Sequence, residues 1–163
     1  MSPPVYRAPM RSRRDDVPDG LAVDRALELG LCGIGGVLRP PPRGLDDAIE
    51  RLSTSYDERT ARRLQRFAEV PEGAFVWTRE IDGIYRLGRL GGPWRYDASA
   101  VAVDLVHVRP CEWLARPFTD ADVPPAVAFT FSRGGRNFQR IRDAAVEPAT
   151  AELWAQMAEA TKR

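Results

Sequence analysis

At 163 residues, 44% hydrophobic and 29% charged, the chain has the composition of one globular domain with enough residues to bury a core, which sets aside the disordered and fibrous classes. No apolar run approaches the roughly 20 residues that span a bilayer. The basic N-terminal segment MSPPVYRAPMRSRRDD lacks the apolar centre of a signal peptide, so no membrane partner is expected and a cytoplasmic location is the default. The net charge of +1 does not mark a nucleic-acid binder, although every one of the 24 basic residues except Lys162 is Arg. A GC-rich genome produces that bias unaided; Arg is also the residue whose planar fork fits phosphates and guanine edges.

Residues 5–10 are expected to form a first strand, running into Arg11-Ser12-Arg13-Arg14, which is either a solvated arm or a phosphate contact. Pro18-Asp19-Gly20 opens a helix with Asp19 as candidate N-cap, and Gly30 ends it. Residues 31–34 follow as a short buried strand. Gly35-Gly36 then reads either as a tight turn or as a place where the backbone approaches something closely.

A stiff Pro-rich loop leads to a helix over residues 45–52, where Leu45, Ala48, Ile49 and Leu52 recur at helical spacing. Asp57 is a good N-cap for the next helix, whose apolar face is Ala61, Leu64, Phe67 and Ala68. Its outer face carries Arg59, Arg62, Arg63 and Arg66 with few acidic partners one turn away, so part of it is open to anions.

The stretch 73–113 organises the rest. Four apolar, β-branched and aromatic segments are divided by turn signals, without a helical period. Asp82-Gly83 marks a hairpin, residues 84–90 the return strand, and Gly91-Gly92-Pro93 its stop. Trp94-Arg95-Tyr96-Asp97 forms an aromatic and basic knot, and residues 104–109 another strand, closed by Pro110. This is the pattern of an α+β domain centred on a small β-barrel or strongly curved sheet. Residues 132–137 read as a flexible basic loop and 138–141 as a final strand. Residues 150–162 form a C-terminal helix with Leu153, Trp154 and Met157 inward.

Gly83, Tyr85, Gly88, Arg89, Gly92, Trp94 and Tyr96, followed by His107-Val108-Arg109-Pro110-Cys111-Glu112-Trp113, resemble the EVE-like branch of the PUA superfamily. Gly33-Ile34-Gly35-Gly36 is similar to the glycine turn such domains place after their first helix, and the likeness runs over roughly residues 5–142. The resemblance implies a single PUA-like (EVE-like) small β-barrel with flanking helices over residues 1–163, with a helical insertion at about 45–69. It also implies a helix after Pro124-Pro125, where alternation over residues 126–131 alone would equally suit a strand.

In function it implies a nucleic-acid-binding domain, DNA before RNA, that takes a methylated or hydroxymethylated base out of the duplex into an aromatic pocket. Such domains are often fused to a nuclease. This chain would be a standalone reader or an adaptor with a nuclease as candidate partner.

The chemistry-bearing residues are consistent with a non-catalytic role. His107, Cys111 and Glu112 fall within six positions, but no nucleophile elbow, phosphate-binding loop or His-Glu-x-x-His accompanies them. With one His in the chain a Cys/His zinc site lacks its ligands, and Cys32 and Cys111 read as small core residues, so no metal or cofactor is expected.

Trp113 reads as core. Trp94 and Tyr96 alternate around Arg95 in an arrangement that suits stacking on a base with the guanidinium at a phosphate. The expected base pocket comprises Arg11, Ser12, Gly35, Gly36, Trp77, Trp94 and Tyr96, with phosphate contacts from Arg95, Arg133 and Arg136. The rival expectation is a protein-interaction module that keeps the barrel but fills the pocket.

Overall fold

The run Phe75-Val76-Trp77-Thr78 is buried at every position, which a strand achieves only when both of its faces are covered. That is its situation in the computed structural model, which describes residues 2–161. Strand β3 (Phe75–Arg79) lies inside a curled sheet whose other strands are β1 (Val5–Arg7), β2 (Leu31–Ile34), β4 (Tyr85–Leu90), β5 (Arg95–Tyr96), β6 (His107–Trp113) and β7 (Gln139–Arg140). The order is β2-β6-β4-β3-β1-β7, with β5 added on β6. Among the described residues only β1 and β3 run parallel; the other pairs are antiparallel. The sheet forms a half-barrel with helices on its flanks.

The period of two along β3 divides the interior. Val76 joins a core built with α1 (Leu21–Leu29), α2 (Leu45–Ser55) and α3 (Glu58–Glu69), where Ala26, Leu52, Leu64 and Phe67 are wholly buried. Phe75 and Trp77 face the other way, into a core with Tyr85, Leu87, Phe118 and Trp154 under α4 (Pro125–Ser132) and α5 (Val146–Thr161). No helix among the described residues is long and apolar enough to cross a membrane.

Several local signals act as expected. Gly30, at φ 69°, closes α1 through its N–H to the Ala26 carbonyl. The Asp57 side chain accepts from Thr60 N at 2.8 Å and starts α3. Pro125 sits in the first turn of α4, so residues 125–132 are helical rather than extended. Cys32 and Cys111 are buried, and burial pushes the Cys32 thiol up to about 12 and raises that of Cys111 as well.

Other elements differ from the sequence reading. Asp19 does not cap α1. Gly20 holds the N-cap position at φ 92°, and the Asp19 carboxylate accepts from Arg11 instead. Strand β1 ends at Arg7, and Met10 adopts a left-handed φ of 49°.

The strand expected over 104–109 begins at His107 and runs through Pro110 to Trp113. Pro110 is tolerated because β6 changes partner there, pairing with β5 through Val108 and with β4 from Cys111 onward. The last helix starts at Val146, where Asp143 accepts from Ala145 N and Val146 N, and Pro148 fits the first turn. Lys162, the expected end of that helix, lies outside the described residues.

Candidate functional site

Where β1 runs out, the chain turns across the open side of the half-barrel. A cavity of about 290 Å³ lies there, between the segment after β1, the Gly35-Gly36 turn, α3 and the loop before β7. Its walls are apolar at Met10, Ile34, Leu105 and Phe138, and Arg13, Arg63 and Arg136 stand around it. Phe138 is held edge-on to Phe67 and stacked on Tyr6, with centroids 5.1 and 5.0 Å away.

The floor is polar and ordered. Asp104, only 8% exposed, adopts φ 54°, a left-handed conformation that Asp tolerates better than most residues. Its Oδ2 accepts from Ser12 Oγ at 2.6 Å and its Oδ1 from Gly36 N at 3.0 Å. The Ser12 hydroxyl accepts in turn from Arg14 N at 3.0 Å, so it cannot swing away freely. Gly35 is required by space: a Cβ there would lie 2.6 Å from Asp104 Oδ2. The resulting carboxylate is buried, oriented by two donors, and faces the cavity with lone pairs to spare.

Behind the floor stands His107, wholly buried between two aromatic rings. Trp94 Nε1 donates to His107 Nδ1 at 3.1 Å, which leaves the proton on Nε2 to be donated to the Gly36 carbonyl at 2.8 Å. Burial lowers the His107 pKa to about 4, so the ring is neutral at pH 7 and both nitrogens are engaged. Tyr96 stands edge-on to the same ring, 5.4 Å between centroids, and its hydroxyl bonds both the N–H and the carbonyl of Leu38. The aromatic pair thus fixes the backbone of the glycine turn from beneath.

The expected pocket residues therefore separate. Arg11, Ser12, Gly35 and Gly36 line this cavity together, and Arg136, expected as a phosphate contact, lines it with them. Trp94 and Tyr96 do not; they lie one layer behind it. The reason is the β5–β6 register, which sets Tyr96 opposite His107 and folds both aromatic rings onto the imidazole. Trp77 is wholly buried on the opposite face of β3, edge-on to Phe118, with Nε1 donating to Thr150 Oγ1. Its place in the expected pocket is corrected by strand alternation.

The expected phosphate contacts separate too. Arg95 is exposed on β5 and does not line the cavity, and Arg133 lies over the Phe129 ring beside a different recess. Arg11 turns its guanidinium outward to Asp19, 3.2 Å away.

Asp104, Met10, Leu105 and Phe138 are cavity residues that pattern reading missed. Asp104 stood in a segment read as strand, where its facing carried no signal. Among the described residues no group of three or more His, Cys, Asp or Glu side chains could hold a metal ion. No family model, no curated protein and no solved structure matches this chain.

Proposed function

We propose that this chain is a PUA-like, EVE-like reader that binds nucleic acid, DNA before RNA, and receives one extruded base in the Asp104 cavity without catalysis. The observation that carries the reading is the floor: a buried carboxylate, oriented by Ser12 and Gly36, beneath apolar walls. A carboxylate accepts from the N4 amino group of cytosine. Met10, Leu105 and Phe138 supply the apolar contact that a base ring and a 5-methyl group need. Arg13, Arg63 and Arg136 surround the opening at positions suited to the flanking phosphates. Extruding a base costs a few kcal/mol, which the ring contacts and the edge hydrogen bonds have to recover. In this reading Trp94 and Tyr96 are positioning residues acting through His107 and the glycine turn.

The test is affinity for duplexes carrying cytosine, 5-methylcytosine, 5-hydroxymethylcytosine or thymine at two salt concentrations, with 2-aminopurine beside the target base. Binding with brightening is expected, and Asp104→Asn should remove the preference for cytosine-type bases by about tenfold or more, since a hydrogen bond to a charged group is lost. Absence of binding to every one of these duplexes at low salt overturns the reading and leaves the barrel as a protein-interaction module.

A further inference from the structure

A second cavity, of about 240 Å³, lies on the other side of Arg11 between β1, the start of α1 and the β3–β4 turn. Arg7 faces it, and is unusual in the fold. Its side chain is nearly all buried, at 7% exposure, yet no carboxylate pairs with it among the described residues. Three main-chain carbonyls hold it instead: Nε donates to Asn137 O at 3.2 Å, and Nη1 to Thr130 O at 3.2 Å and Gly134 O at 2.9 Å. Carbonyl dipoles fix the guanidinium but leave its charge uncompensated, and a buried charge without a counter-ion is costly. Nη2 makes none of these bonds. It lies against Gly135, where a Cβ would come within 2.8 Å of it.

The surroundings extend this. Arg79 lines the same cavity, turned back to the Gly83 carbonyl and the Tyr85 ring, and it too pairs with no carboxylate among the described residues. The two acids at the cavity are already committed, Asp19 to Arg11 and Glu80 to Arg86. Gly135, at φ 104°, brings main chain to the same place, and its N–H has no hydrogen-bond partner among the described residues. A tetrahedral anion can take donors from several directions at once, where a flat carboxylate is served by a single fork.

The geometry points to a phosphate-binding site in which Arg7 Nη2 and the Arg79 guanidinium meet the anion beside the Gly134-Gly135 turn. The phosphate is either free or part of a nucleic-acid backbone. The site shares Arg11 with the base cavity but does not depend on the reading of that cavity.

The test is calorimetric titration of the full chain with inorganic phosphate against chloride at equal ionic strength, and in parallel with a single-stranded oligonucleotide. Arg7 is avoided as a variant because it tethers three segments. Arg79→Gln leaves those tethers intact, and Gly135→Ala places a methyl group against Nη2. Saturable phosphate binding, weakened about tenfold or more by Arg79→Gln at an unchanged melting temperature and likewise by Gly135→Ala, whose strained φ of 104° lowers the melting temperature without unfolding the chain at the titration temperature, supports the site as one for free phosphate. No phosphate binding, but a similar loss of oligonucleotide affinity in both variants, supports it as a backbone contact. Phosphate binding indifferent to both variants, or no effect in either titration, overturns it. Asp104→Asn should leave phosphate binding unchanged, so failure of the base-cavity reading has a separate signature.

Discussion

On the α4–α5 face of the sheet, Trp77, Phe118, Phe75 and Trp154 interlock, with ring centroids 5.3 to 5.6 Å apart and the Trp77 indole N–H satisfied by Thr150. On the α1–α3 face the same sheet carries an equally apolar core, but its open side ends in a cavity floored by a buried carboxylate. Both non-glycine residues with positive φ, Met10 and Asp104, line that cavity among the described residues. Strained backbone persists only where the surroundings over-determine it, and it gathers at ligand sites more than in cores. In the proposed reading this contrast assigns stability to one face and recognition to the other, with Trp94, Tyr96 and His107 bracing the glycine turn behind the cavity.

The largest expected effect tests the closed face. Trp77→Ala should destabilise the domain by about 3–5 kcal/mol, the usual range for a core Trp truncation. Trp94→Ala removes a half-buried ring and leaves His107 Nδ1 without its donor, for about 1–3 kcal/mol. Urea denaturation of both variants measures the difference. Equal losses would show that Trp94 is as structural as Trp77 and would erase the contrast between the faces.

A second effect isolates the layer behind the cavity. The folded-state pKa of His107 is lowered from 6.5 to about 4 by burial, so the unfolded chain takes up a proton on this ring at higher pH than the folded one does. Stability from this group is complete above pH 6.5 and is lost as the pH falls toward 4, at up to roughly 1.4 kcal/mol per pH unit. Hydrogen bonds to Thr60 and Thr119, among others, lower the pKa of Asp57 and Asp122 below 3.8, so those carboxylates act in the same sense only at more acidic pH. Denaturation midpoints at pH 7, 6, 5 and 4 should fall within that window, and His107→Asn should flatten the slope. A profile that is flat down to pH 4 in the unsubstituted protein would show that the imidazole is not held neutral.

The smallest effect lies at the rim. Arg136 is exposed and holds no partner among the described residues, so Arg136→Ala should leave the melting temperature unchanged. It should weaken duplex binding uniformly across base modifications and reduce the salt slope by about 0.9, one phosphate contact on B-DNA. A change in base preference would instead place Arg136 at the base.

Local signals were legible at most places where a residue acts on its own neighbours, Asp19 excepted, since its carboxylate turns to Arg11. Asp57 starts α3 by reaching three residues ahead, Gly30 ends α1 by its own left-handed φ, and Asp82-Gly83 turns β3 into β4, all within one turn of chain. Arg11, Ser12, Gly35, Gly36 and Arg136, singled out from the sequence, do line one cavity, because the run after β1 and the paired glycines after β2 both leave the sheet at the same place. By itself, then, the sequence determined the helices and most strands, the curved α+β sheet and much of the cavity's rim.

The tertiary structure decided what alternation leaves open. A period of two says that Phe75 and Trp77 share a face and that Val76 takes the other, but not which face closes over a core and which borders a cavity. That choice depends on helices far away in the chain, and it sent Trp77 away from the site. The pairing of β6 with β2, β4 and β5 likewise drew Trp94 and Tyr96 onto His107 and carried the strand through Pro110. Asp104 became the floor because Ser12, 92 residues earlier, and Gly36, 68 residues earlier, converge on its carboxylate, a contact that chain closure makes and no local pattern contains.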